Sequence, residues 1–156
     1  FVFDPFIESK VIEEHGCNPI SKIEGIKLAD YISIHLPLNT ETKNFISKKE
    51  FELMKESVIL VNSARGGIVS ESDLYDALTK NKIHGAGLDV FEQEPPDENH
   101  KLFKLPNILL SPHNAALTLE CRKRMAVEGA ENIIKYLKNK DDLNLNNVVN
   151  KKEIGI

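Results

Sequence analysis

Short aliphatic runs that break off at small polar or charged residues constrain this chain more than any other feature. Val58-Ile59-Leu60-Val61 meets Asn62-Ser63-Ala64-Arg65-Gly66-Gly67, residues 85 to 90 meet Phe91-Glu92-Gln93-Glu94-Pro95, and residues 107 to 111 run into Pro112-His113. Apolar runs of this length bounded by turn formers read as strands buried on both faces. Tyr31-Ile32-Ser33-Ile34-His35-Leu36, stopped by Pro37, and Phe1-Val2-Phe3, stopped by Asp4-Pro5, supply two more. Proline drives the preceding residue out of the helical region, so both stops are sharp.

Helical signals lie between the runs. Ser47 and Glu50 have capping-box spacing ahead of Phe51, Leu53 and Met54, and Ser70 precedes Leu74, Ala77 and Leu78 at helical spacing. A longer helix is predicted from near Thr118, with Met125, Ala126, Ala130, Ile133, Ile134 and Leu137 on one face, up to the polar run 138–142. Alternating strands and helices predict an α/β fold, a mostly parallel sheet with helices on both faces. In such sheets ligands bind beyond the carboxyl ends of the strands, where Arg65, Glu94 and His113 all stand. An imidazole can move a proton near neutral pH, a carboxylate beside it favours its protonated form, and a guanidinium can hold a substrate carboxylate through two parallel hydrogen bonds.

At 156 residues the chain fits one domain, and 41% hydrophobic content suffices for an ordinary core. A net charge of −4 provides no basic face for nucleic acid, and no apolar run approaches the ~20 residues that span a bilayer. Cys17 and Cys121 have neither C-x-x-C nor metal-ligand spacing, so they are expected to be reduced thiols of a cytoplasmic protein with no metal site. Phe1-Val2-Phe3-Asp4 has no basic leader and no cleavage pattern, so no signal peptide is expected. His15, His84 and His100 lack partners at ligand spacing and read as surface residues, and Glu92 reads as a solvated loop acid.

The blocks His35-Leu36-Pro37-Leu38, Met54-Lys55, Asn62 to Gly67, Ala77-Leu78, Gly85 to Phe91, Glu94-Pro95, Asn107 and Ser111-Pro112-His113 follow in one order across nearly the whole chain. That order resembles the D-isomer-specific 2-hydroxyacid dehydrogenases, which include phosphoglycerate dehydrogenases, D-lactate dehydrogenases and glyoxylate/hydroxypyruvate reductases. The resemblance implies a Rossmann-like, doubly wound sheet, NAD as cofactor, and reversible reduction of a small 2-keto acid to a D-2-hydroxy acid. It makes His113 the acid/base, Glu94 its partner and Arg65 the holder of the substrate carboxylate. Asp4 would accept hydrogen bonds from the adenosine ribose and favour NAD over NADP, Leu36 and Pro37 would border the adenine side, and Asp89 would contact the nicotinamide end. Backbone at Ser63, Ala64, Arg65, His113, Ala115 and Ala116 would line the same pocket, with Gly66 and Gly67 turning tightly beside it. The full-length protein would be a homodimer.

The sequence contains no G-x-G-x-x-G turn, the cradle through which a dinucleotide fold approaches pyrophosphate. Gly85-Ala86-Gly87 reads as a strand start with close backbone packing. The expectation is therefore an incomplete Rossmann-like domain: residues 1–142 form part of the dinucleotide-binding domain of a longer enzyme, and residues 143–156 lead back toward a substrate-binding domain. The chain alone would then be inactive. With the family's strand order, 3-2-1-4-5-6, loss of the first strand leaves two strands and three strands with open inner edges. Two rival readings are an NAD(H)-sensing corepressor or scaffold and an inert structural fragment.

Overall fold

The computed structural model describes residues 1–138 and 148–154. They fall into two compact units, Phe1–Asn114 and Ala115–Ile156. The first unit carries a sheet of four parallel strands, β1 (Tyr31–Ile34), β2 (Ile59–Asn62), β3 (Gly85–Leu88) and β4 (Ile108–Leu110), in the order β1-β2-β3-β4. Four strands stand together where three were expected. Phe1-Val2-Phe3 contributes a single parallel bridge, Val2 to Pro19, rather than a full strand.

Ile34 pairs with Asn62, Asn62 with Leu88, and Leu88 with Leu110, so the strands end level. Side chains alternate across the sheet: Leu60 and Asn62 of β2 are buried, whereas Val61 is 40% exposed and its neighbour two strands away, Leu109, is 76% exposed. The runs thus bury one sheet face in this unit rather than two. Against the buried face lie Ile68, Leu74, Leu78, Ile83 and Leu102, each at most 1% exposed. Burial of each such side chain contributes roughly 1.5–3 kcal/mol.

The helices begin where serines can take their unpaired amides. At α3 (Lys48–Phe51) the Glu50 carboxylate accepts both the N–H and the hydroxyl of Ser47, and at α4 (Glu71–Thr79) the Ser70 hydroxyl accepts the Asp73 N–H. The same device, unread in the sequence, opens α2 (Lys22–Leu28) at Ser21, while α1 (Ser9–Glu14) starts without a side-chain cap. On α4, Leu74, Ala77 and Leu78 are buried as their spacing predicts.

The second unit contains α5 (Leu119–Lys138) and α6 (Lys151–Ile154). The helix expected from Thr118 begins one residue later, and the Thr118 hydroxyl accepts the Cys121 N–H. The boundary expected at 142/143 lies outside the described residues. Both cysteines are free, and no described helix is long and apolar enough to cross a membrane.

Candidate active site

Because the strands end level, the loops after β2, β3 and β4 start side by side at one edge of the sheet. The loop after β2 is shaped by buried Asn62, whose Oδ1 accepts the Ala64 N–H and whose Nδ2 donates to the Arg65 carbonyl. Arg65 is thereby turned outward and exposed, its Nη1 donating to the Ala64 carbonyl at 2.6 Å. Gly67 follows at φ +78°, a left-handed conformation suited to glycine. Gly66 meets the next loop so closely that a Cβ there would lie 1.7 Å from the Phe91 carbonyl oxygen. The same constraint is weaker in β3: a Cβ on Gly85 would lie 3.1 Å from the Asn107 carbonyl oxygen, and one on Gly87 would make ordinary contact with Val61.

The loop after β3 carries Asp89 and Glu94, and the loop after β4 carries His113. Buried Asp89 accepts the Ser111 hydroxyl at 2.6 Å and the Asn114 N–H at 2.9 Å, holding the third loop from both sides of His113. Its own N–H donates to the Asn62 carbonyl, which joins all three loops. His113 sits at φ +52°, a strained conformation for a residue with a Cβ. Its Nδ1 is 2.7 Å from Glu94 Oε2, and Glu94 Oε1 accepts the Phe91 N–H. With Nδ1 engaged, Nε2 is the ring nitrogen able to meet a substrate. A cavity of about 360 Å³ opens beside the pair, walled by Phe91, Glu94, Phe103, Leu110, Pro112 and His113.

The bond from His113, with the Phe91 N–H adding to it, holds the Glu94 carboxyl below the usual glutamate range. A lowered folded pKa means that the contact is present above the ordinary value and is lost as pH falls through the lowered one. NMR titration of the labelled Glu94 carboxyl carbon should give a midpoint below 4.5, and His113→Ala should bring it back up toward that value. An unchanged midpoint in the variant would mean that His113 does not hold the carboxylate.

The sequence-predicted residues thus separate by place. Ser63, Ala64, Arg65, Asp89, Glu94 and His113 gather at the three loops. Leu36 packs against the core after β1, with the Pro37 carbonyl accepting the Thr42 hydroxyl, and Asp4 follows the Val2 bridge and accepts the Phe6 N–H. Ala115 and Ala116 belong to the second unit. Asn62 and Ser111 were missed as shapers of the site; their conversion of an aliphatic strand end into a polar one was the available signal.

Two readings need correction. His100 is not a surface residue: its side chain is 23% exposed, pairs with Glu71 at 3.0 Å and packs against Phe91 and Phe103. Glu92 is not merely a solvated acid, since its carboxylate accepts the Glu71 N–H. Among the described residues no group of three or more His, Cys, Asp or Glu side chains could hold a metal ion.

Residues 1–115 match the model of the D-isomer specific 2-hydroxyacid dehydrogenase, NAD binding domain. The chain belongs to this family. It is 40% identical over 149 residues to D-3-phosphoglycerate dehydrogenase of Methanocaldococcus jannaschii, covering 95% of this chain and 28% of that protein. It is 42% identical over 138 residues to glyoxylate reductase of Aeropyrum pernix, covering 88% and 41%. Among solved structures, D-lactate dehydrogenase from Aquifex aeolicus complexed with NAD and lactic acid aligns with a TM-score of 0.83 at 31% identity, covering 94% of this chain and 48% of that one. The chain therefore spans less than half the length of each of these relatives. Its sheet lies within the residues that match the family's NAD binding domain.

Proposed function

We propose that the polypeptide carrying this chain reduces a small 2-keto acid reversibly to its D-2-hydroxy acid with NAD(H). The observation that carries this reading is the 2.7 Å His113–Glu94 pair at the strand ends, level with the outward-facing Arg65. Arg65 binds the substrate carboxylate with its planar fork, which orients the keto group. His113 gives a proton from Nε2 to the carbonyl oxygen and takes it back in the reverse direction. Glu94 holds the ring through Nδ1, which leaves Nε2 for the substrate.

Bound NAD would supply the hydride acceptor or donor. The residues present fit its two ends. A groove of about 670 Å³ is lined by Phe3, Asp4, Ser33, Ile34, His35 and Leu36 among others. Asp4 on its wall is a carboxylate acceptor for ribose hydroxyls, with Leu36 and Pro37 bordering the adenine. Ser63, Ala64 and Asp89 would take the nicotinamide end. The sequence supplies no glycine-rich pyrophosphate turn, so we expect the 156-residue chain alone to oxidise no NADH. In the same proposal, residues 143–156 lead toward a substrate-binding domain and the complete enzyme is a cytoplasmic homodimer.

The test is NADH oxidation with a panel of 2-keto acids. The longer polypeptide should turn over at least one of them, whereas failure with every acid would favour the NAD(H)-sensing scaffold. Arg65→Lys keeps the charge and loses the fork, so KM for the keto acid should rise about tenfold or more with kcat less affected. An unchanged KM would mean that another group holds the carboxylate.

A further inference from the structure

We propose that Glu71, the first residue of α4, is a positioning residue for the Glu94–His113 pair, acting through the loop that carries Glu94. This inference rests on the dehydrogenase reading of that pair. The first amides of a helix lack partners within it. Here the Glu71 N–H donates to Glu92 Oε1 at 2.9 Å, and the Glu92 N–H donates back to Glu71 Oε1. The preceding amide, Phe91 N–H, donates to Glu94 Oε1 at 3.0 Å. Two consecutive amides of one loop therefore end on two carboxylates, one anchored on α4 and one belonging to the dyad. The Phe91 carbonyl is simultaneously seated on Gly66, so the segment from 91 to 94 is held from both sides.

The other Glu71 oxygen is taken by His100. Its Nε2 lies 3.0 Å from Glu71 Oε2, while its Nδ1 is buried without a hydrogen-bond partner. That asymmetry places the proton on Nε2, donated to Glu71. The ring is wedged between Phe91 at 6.0 Å and Phe103 at 5.6 Å, and both phenylalanines wall the cavity beside His113. Glu71 is only 11% exposed, and burial raises its carboxyl above the ordinary range although the Glu92 N–H and His100 pull it back. Burying an acid here is costly unless each oxygen is satisfied. Both are, and one of the two bonds fixes the dyad loop.

The readout is the NMR titration midpoint of the labelled Glu94 carboxyl carbon in the full chain, which does not depend on turnover. The bonds from His113 and from the Phe91 N–H hold it low and Asp89 acts against them; Glu71, Glu92 and His100 are the more remote charged groups. His113→Ala removes the first of these bonds and should raise the midpoint toward the ordinary glutamate value. Glu71→Ala should raise it at least half as far, because the loop that aims the Phe91 N–H and Glu94 is released. Glu71→Gln removes the same charge but keeps an oxygen for the Glu92 N–H, and should leave the midpoint near that of the unsubstituted chain.

An unchanged midpoint in Glu71→Ala overturns the positioning role and leaves the dyad standing. A Gln variant that shifts as far as Ala also overturns it, since charge rather than position would then be acting. An unchanged midpoint in His113→Ala refutes the dyad reading beneath. Should Glu71→Ala fail to fold, Glu92→Ala opens the other half of the bracket; a raised midpoint there supports the role, and an unchanged one overturns it.

Discussion

His113→Gln should lower the rate of keto-acid reduction by the longer polypeptide about a thousandfold while leaving NADH binding in place. Glutamine can still reach toward Glu94 Oε2, now 2.7 Å from His113 Nδ1, and can fill much of the same space. It cannot give up a proton near neutral pH. A positioned acid contributes roughly 10²–10⁴-fold, and a thousandfold loss corresponds to about 4 kcal/mol at the transition state. The loss should be confined to the catalytic step, because the ring is 48% exposed at the loop surface and contributes little to the core. Stopped-flow rates with saturating NADH and keto acid separate the two effects. A variant within tenfold of the wild-type rate would remove His113 from the role of acid.

Gly66→Ala should cost the chain about 3 kcal/mol of stability and disable the site as well. The added methyl would stand 1.7 Å from the Phe91 carbonyl oxygen, 2.1 Å from its carbon and 2.8 Å from the Glu92 nitrogen. All three are main-chain atoms, so no side chain can swing away to make room. The loops after β2 and β3 must part, which breaks the seat beneath the segment that carries Glu94. Gly87→Ala is the matched control, because its methyl would meet only Val61 at 3.8 Å. Urea unfolding of both variants measures the difference. If Gly66→Ala unfolds at the same urea concentration as the Gly87→Ala control, the close approach of the two loops is not a constraint on the fold.

Much of this protein follows from neighbouring residues alone. Serine three residues before glutamate or aspartate opens α3 and α4 because the interaction is complete within one helical turn. Leu74, Ala77 and Leu78 are buried because helical spacing places them on one face. Apolar runs ending in Asn62, Asp89 and Ser111 mark strand ends, and Arg65, Glu94 and His113 follow them. Local rules overextended the amino-terminal strand, which is reduced to the Val2 bridge, and credited β2 with two buried faces where Val61 is exposed. Whether a strand is covered depends on what packs upon it, and its own residues do not state that.

The sequence by itself marked the strands β1 to β4, the serine-capped starts of α3 and α4, and Arg65, Glu94 and His113 as the candidates beyond the strand ends. Only the tertiary structure decided how those side chains are held. Level pairing of Asn62, Leu88 and Leu110 brings three loops together. Asp89 then reaches Ser111 across 22 positions, Glu71 reaches Glu92 across 21, and His113 reaches Glu94 across 19. His100, a surface residue by spacing, becomes the half-buried partner of Glu71 for the same reason. Such contacts have no period along the chain, because they are set by sheet register and loop geometry, and they exist only once the strands have paired.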